Sequence, residues 1–217
     1  MKLSRTFLLF LAILAVCQRL EAGALDVTVK DARGTLVPDA VVYAKKDGAK
    51  PAQAQNHAVI DQQNKQFIPY VTAVEVGTAI TFPNKDKIRH HVYSLSPAKK
   101  FELPLYAGIP AAPVTFDKEG FVTLGCNIHD AMIAYVAVLP TPFFQVTDGE
   151  GHVLLQNVPP GKYTAEVWHP SLKGPPERFA QQVDIAATGT SRLIFTLDFR
   201  PDVRANRAPG LSTGGYP

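Results

Sequence analysis

Phe121-Val122-Thr123-Leu124-Gly125-Cys126-Asn127-Ile128-His129-Asp130-Ala131-Met132-Ile133-Ala134-Tyr135-Val136-Ala137-Val138-Leu139 holds two apolar runs with a Cys-x-x-His-x-x-Met spacing between them. Short runs rich in β-branched and aromatic residues read as strands. The first run, 121–126, therefore delivers Cys126 to one end of a sheet, and the second, 134–139, leaves from the same end. Asn127 and Ile128 make a tight turn, His129 points back toward the cysteine, and Met132 returns at the start of the outgoing strand. Two-residue gaps on either side of His129 let the three side chains converge without a helix. An upstream pair, His90-His91, can complete the set. A thiolate, two imidazoles and a weak axial thioether are the donors that copper sites for single-electron transfer use.

The rest of the chain reads as β on either side of this run. Leu25 to Lys30 alternates apolar and polar residues, and a turn at Asp31-Ala32-Arg33-Gly34 leads to Ala40-Val41-Val42-Tyr43-Ala44. Such alternation bounded by turn residues marks a half-buried strand. Further strands are expected at 58–61, 73–76, 79–83, 91–94 and 114–116, with a loop over 45–56. Pro104, Pro110 and Pro113 interrupt 95–113, which reads as a long, partly irregular excursion. Pro140-Thr141-Pro142 reads as a hinge. Beyond it, 143–147, 152–155, 163–168, 179–185 and 192–198 form a second strand series punctuated by Gly and Pro turns. No amphipathic helical pattern of useful length follows residue 22. Many short strands between turns indicate all-β sandwich architecture.

The chain opens with a basic start, an apolar stretch from Phe7 to Cys17 and a small residue at Ala22, the pattern of a cleaved secretory signal peptide over 1–22. Its apolar core of 11 residues is too short to span a bilayer as a helix. Lipid attachment at Cys17 is the rival reading. Removing 1–22 leaves 19 Lys and Arg against 18 Asp and Glu, so the formal charge of +3 falls to +1. A nearly neutral chain is not a nucleic-acid binder. Cleavage also leaves Cys126 as the sole cysteine. A lone thiol in an oxidising compartment needs an explanation, and metal ligation supplies one; an inert buried cysteine is the plainer account. Ligation needs a thiolate and neutral imidazoles, so metal binding weakens as pH falls.

Phe67-Ile68-Pro69, Val74-Glu75-Val76-Gly77-Thr78-Ala79-Ile80-Thr81-Phe82-Pro83-Asn84-Lys85-Asp86 and His90 resemble the entry half of the cupredoxins. Phe116-Asp117-Lys118-Glu119-Gly120-Phe121 leading into Cys126, His129 and Met132 resembles their exit half, with amicyanin-like spacing. The resemblance covers about residues 60–139. It implies a Greek-key β-sandwich with copper ligands His90, Cys126, His129 and Met132, in which His91 stands where an asparagine often braces the loops and tunes the site from behind. Gly125 and Asp130 depart from the family's usual aromatic and proline. Asp148-Gly149-Glu150-Gly151, Val158-Pro159-Pro160-Gly161-Lys162-Tyr163 and Val167-Trp168-His169-Pro170 are similar to carboxypeptidase-regulatory-like sandwiches. The tandem resembles exported bacterial proteins labelled methylamine-utilisation proteins.

The expectations are then these. Residues 1–22 are a signal peptide, 23–139 a cupredoxin-like copper domain, 140–199 a smaller C-terminal β-sandwich and 200–217 a disordered tail. About 60 residues are marginal for an independent sandwich, which leaves the 25–44 hairpin free to pack with either unit. The implied function is a periplasmic carrier of single electrons through one type 1 copper, not an enzyme, with no transmembrane segment in the mature chain. Its implied partner is another exported redox protein, a c-type cytochrome or a dehydrogenase. Copper delivery or storage, and an interaction or sensing module, are the alternatives. His57 and His152 read as solvated and His169 as structural. Lys85, Lys87, Arg89, Lys99 and Lys100 read as a solvated face or a basic rim.

Overall fold

The computed structural model describes residues 22–49, 55–110 and 112–200. The expected signal peptide, the Cys17 alternative, part of the 45–56 loop and the tail beyond Arg200 lie outside the described residues.

Strand β1 (Gly23–Asp31) turns Leu25, Val27 and Val29 inward and Asp26, Thr28 and Lys30 outward. Its period of two is what a strand with one buried face requires. Strand β2 (Val41–Lys46) is different. Val41, Val42, Tyr43 and Ala44 are all buried, because Val42 and Ala44 enter one apolar core while Val41 and Tyr43 enter another. A strand covered on both faces loses its alternation and becomes a continuous apolar run.

Ten strands follow: β3 (His57–Val59), β4 (Asp61–Gln63), β5 (Gln66–Ile68), β6 (Val71–Glu75), β7 (Thr78–Thr81), β8 (His90–Ser96), β9 (Lys99–Tyr106), β10 (Val114–Phe116), β11 (Gly120–Gly125) and β12 (Ile133–Leu139). They form a five-stranded sheet in the order β6-β12-β11-β8-β9 and a three-stranded sheet in the order β10-β7-β3, with β4-β5 as a separate hairpin. Phe82, Val92, Phe116, Val122, Leu124, Ala134 and Val136 fill the core between them. The last five strands are β13 (Phe144–Val146), β14 (His152–Val158), β15 (Gly161–Trp168), β16 (Gln181–Ile185) and β17 (Thr190–Leu197). They make no sandwich by themselves. β1 is the middle strand of the sheet β14-β1-β17, antiparallel to β14 and parallel to β17, and β2 is an inner strand of β13-β2-β15-β16. The 25–44 stretch thus packs with elements beyond residue 143, and residues 57–139 lie in sequence between the two parts of the unit they form.

The four sheets stack as four layers. At the middle boundary the outer face of the five-stranded sheet meets the outer face of β13-β2-β15-β16 through Val41, Tyr43, Val71, Ala137 and Leu139. Trp168 stacks on Phe121 with ring centroids 4.4 Å apart and planes 4° from parallel, and meets the edge of Tyr135 at 6.0 Å. β12 is therefore the second strand buried on both faces, with Ala134, Val136 and Val138 on one side and Ala137 and Leu139 on the other.

Two sequence expectations are corrected here. The 95–113 stretch, read as a partly irregular excursion with no strand of its own, contains the eight residues of β9 paired antiparallel with β8. Pro104 obscures it, yet β9 is the edge of its sheet, where a missing N–H breaks no ladder. The 140–142 connector is not a free hinge. Thr141 is buried, and its hydroxyl donates to the Ala44 carbonyl at 2.7 Å and accepts from the Phe143 amide at 3.2 Å. In addition, the expected 179–185 strand begins later, after a 3-10 turn at Pro176–Phe179.

Candidate metal centre

Strand alternation separates the two adjacent histidines. His90 is fully buried, and its ring lies 5.0 Å from that of His129. His91 faces the other side, its Nε2 2.8 Å from Glu102 Oε1 and its ring 5.3 Å from that of Tyr93. The thiol of Cys126, a nitrogen of His90 and a nitrogen of His129 all lie within 4.8 Å of one another, with Cys126 Sγ 3.9 Å from His129 Nδ1. Met132 is buried in the same core as Cys126, and its amide donates to the His129 carbonyl at 2.8 Å, which closes the turn. The structure thus brings His90, Cys126 and His129 together with Met132 beside them, and leaves His91 out.

The loop that aims His90 is fixed by two side chains, Asn84 and Asp86, that the sequence reading notes only as part of a motif. Asn84, itself buried, donates through Nδ2 to the carbonyls of Ile88 and Tyr106, both at 2.9 Å, and accepts from the Asp86 amide at 3.0 Å. Asp86 joins the β4–β5 hairpin to the histidine. Its Oδ1 accepts from the Asn64 amide at 2.7 Å, and its Oδ2 accepts from the Lys65 amide at 2.9 Å and lies 2.8 Å from His90 Nε2. Asn64 and Lys65 both have positive φ, 55° and 58°, as a two-residue hairpin turn of this hand requires. Partial burial works against ionising Asp86, but the Lys65 amide, His90 and the Asn64 amide outweigh it and hold its pKa below the ordinary value. An ionised carboxylate can only accept, so His90 Nε2 carries the proton. His90 Nδ1 is then a lone pair, buried and without a hydrogen-bond partner. Such an orphan is costly unless something binds it.

A soft metal ion fits this donor set. The pKa of His129 is lowered, first by burial and then by repulsion from any charged form of His90 and from Lys65, with Asp86 acting in the opposite direction. That favours the neutral imidazole a metal needs.

Gly125 has a packing reason. A Cβ there would stand 3.0–3.1 Å from two ring carbons and the hydroxyl oxygen of Tyr93, directly across the β8–β11 pairing. The aromatic cover of the strand before Cys126 therefore comes from the neighbouring strand. Tyr106, whose hydroxyl donates to the Phe82 carbonyl, has its pKa pushed up to about 12 by burial. A raised folded-state value leaves stability intact below the ordinary 10 and removes it as pH rises through 12. Tyr106→Phe is accordingly expected to flatten the loss of stability between those pH values. Denaturant melts across that range give the comparison.

The remaining sequence readings fare unevenly. His169 is structural: it is buried, its Nδ1 accepts from the Ser171 amide at 3.1 Å, and Phe199 lies edge-on to its ring. His152 is not simply solvated, because its Nε2 lies 2.6 Å from Asp26 Oδ1, and His57 Nε2 lies 3.0 Å from the Thr81 hydroxyl. The basic rim loses two members to ion pairs, Lys85 with Asp61 at 2.6 Å and Lys99 with Asp117 at 2.9 Å. Among the described residues no helix is long and apolar enough to cross a membrane.

These features define an all-β chain of stacked sheets with a buried thiol-imidazole cluster at the end of one sandwich. No family model matches the chain, and no curated protein does. Similar solved structures include a copper-containing nitrite reductase from Thermus scotoductus SA-01, at 24% identity over 42% of this chain, with a TM-score of 0.36. The chain spans only 24% of that enzyme's length. A purple cupredoxin from Nitrosopumilus maritimus matches at 22% identity over 39% of this chain and 100% of its own, with a TM-score of 0.34. A reduced amicyanin variant matches at 22% identity over 45% and 99%, with a TM-score of 0.35.

Proposed function

We propose that residues 57–139 form a cupredoxin-type copper domain and that the chain is an exported carrier of single electrons. The carrying observation is the buried, unpartnered His90 Nδ1 beside the thiol of Cys126 and the imidazole of His129. His90, Cys126 and His129 would hold one type 1 copper, with the thioether of Met132 as a fourth, weaker donor. When bound, the metal supplies a one-electron couple with little change in its surroundings. The chain's own residues supply the rest. Asp86 and Asn84 keep His90 oriented, the core around Phe82 and Leu124 excludes water, and Tyr93 covers the strand behind Cys126. Filling the site with protein donors leaves no position for a substrate, so the reading is a carrier rather than an enzyme. Residues 1–22 would direct it to the periplasm, where a c-type cytochrome or a dehydrogenase would exchange electrons with it.

Adding Cu(II) to the purified protein is expected to give an intense thiolate-to-copper visible band and a narrow hyperfine splitting in its EPR spectrum. Both should vanish in Cys126→Ala. A colourless wild type, or a coloured Cys126→Ala, contradicts the proposal.

A second reading, copper delivery, draws on a groove of about 380 Å³ lined by Tyr93, Gly125, Cys126, Asp130 and Met132, among others, which brings solvent close to the thiol. It predicts rapid loss of copper to a chelator. A slow, redox-reversible site favours the carrier.

A further inference from the structure

Residues 56–139 contain seven Lys or Arg and seven Asp or Glu, so this part of the chain has no net charge to attract a partner. Its charges are unevenly placed. Lys85 and Lys99 are paired with carboxylates. Lys65, at the tip of the β4–β5 hairpin, and Lys87 line one shallow depression with Asn64, Asp86 and Ile88, and neither forms an ion pair with a described residue. The carboxylate between them, Asp86, offsets part of their charge, but its side chain is only 14% exposed and its oxygens are taken up by two amides and His90, which leaves the lysine ammonium groups as the outward-facing charges. Asp130, beside His129, is also engaged within the protein.

Apolar surface adjoins these cations. Ile88 is 42% exposed and lies two residues from His90, and Ile128 is 48% exposed and lies next to His129. Ile109 is 74% exposed and is held near them, because the Asn84 amide donates to Gly108 while the Asn84 side chain donates to Ile88. Lys65 is tied to the histidine pair through Asp86, which accepts from the Lys65 amide and lies 2.8 Å from His90 Nε2, and the His90 ring is 5.0 Å from that of His129. A dry contact rimmed by unpaired charge of one sign selects partners of the opposite sign and speeds their encounter.

We propose that the His129 face docks a protein partner presenting two or more carboxylates around an apolar contact, with Lys65 and Lys87 recognising the carboxylates and Ile88 and Ile128 meeting the apolar centre. The inference rests on the proposed electron-carrying function, with the edge of the His129 ring taken as the point where electrons pass, but its recognition chemistry belongs to the protein with or without metal. Asp86 makes the hairpin tip part of this surface, since the two backbone amides it accepts from are those of the turn that carries Lys65.

The test has two arms. The reduced, copper-loaded protein is oxidised by hexacyanoferrate(III), which takes one electron to become hexacyanoferrate(II), and separately by the cationic tris(phenanthroline)cobalt(III), which becomes the cobalt(II) complex. The anion's rate constant is expected to fall with ionic strength and the cation's to rise. Lys65→Glu with Lys87→Glu should slow the anion about tenfold or more at low salt, while Lys118→Glu, at the opposite end of β11, leaves it unchanged. In the second arm the metal-free protein is titrated with hexaglutamate and followed by amide NMR. Shifts are expected at residues 64–65 and 87–88, lost in the double variant and in high salt. Identical salt dependence for the two oxidants, or peptide shifts unaltered by the double variant, overturns the docking surface. A protein that takes up no copper but binds the peptide at these amides refutes the electron carrier and leaves the surface standing.

Discussion

A chain cut after Leu139 is expected to lose the fold of its first described segment, residues 22–49. Every ladder partner of β1 and β2 comes from beyond the cut: β14 and β17 flank β1, and β13 and β15 flank β2. Leu25, Val27, Val29, Val42 and Ala44, all fully buried in the whole chain, would face water. At roughly 25 cal/mol per Å² of apolar surface, no isolated hairpin offsets that exposure. The cut also uncovers Ala137 and Leu139 on the outer face of the five-stranded sheet. Limited proteolysis of the 23–139 fragment should trim it to a start near residue 55. Slow amide exchange along β1 in that fragment would contradict the packing described here. The reciprocal fragment, 140–217, lacks β1 and β2 and is expected to be unfolded. Separating the candidate metal centre from the second sandwich therefore requires excising 55–139, not truncating at the connector.

Trp168→Ala carries the second large effect. The indole stacks on Phe121 and abuts Tyr135, so its removal empties the centre of the contact between the two sandwiches. Loss of a large aromatic from packed surroundings costs about 3–5 kcal/mol, and this partly exposed site should fall near the lower value. The sharper expectation is qualitative. Calorimetry of the wild type should show one cooperative transition and of Trp168→Ala two, as each sandwich melts by itself. A variant that melts in a single transition at unchanged temperature would mean that the middle boundary contributes little.

Much of this was legible in the sequence because each local rule acted alone. Period-two alternation marks β1, and the Cys126–His129–Met132 spacing marks a turn between strands. What was hidden depended on residues distant in sequence. Pro104 looks like a breaker until β9 is known to be an edge. Val41-Val42-Tyr43-Ala44 shows that something covers both faces of β2, but not what. The choice between His90 and His91 turns on which face of β8 each occupies, and strand phase is set by the whole sheet. Asp86 was read as part of a motif, yet its contact with the 64–65 turn crosses about twenty residues and no spacing announces it. Gly125 looked anomalous only because its aromatic cover is supplied from Tyr93.

The parallel pairing of β1 with β17 joins the first described strand to the last. Chain synthesis proceeds from the N-terminus, so β1 is made first and completed last. Some 160 residues must appear before its partner exists, and such distant pairings form slowly. Residues 57–139 need no later strand to close their two sheets. The sandwich that would hold the metal can therefore assemble while the layers that flank it are still waiting, and during that interval the apolar strands at the front of the chain are the part most in need of protection from aggregation.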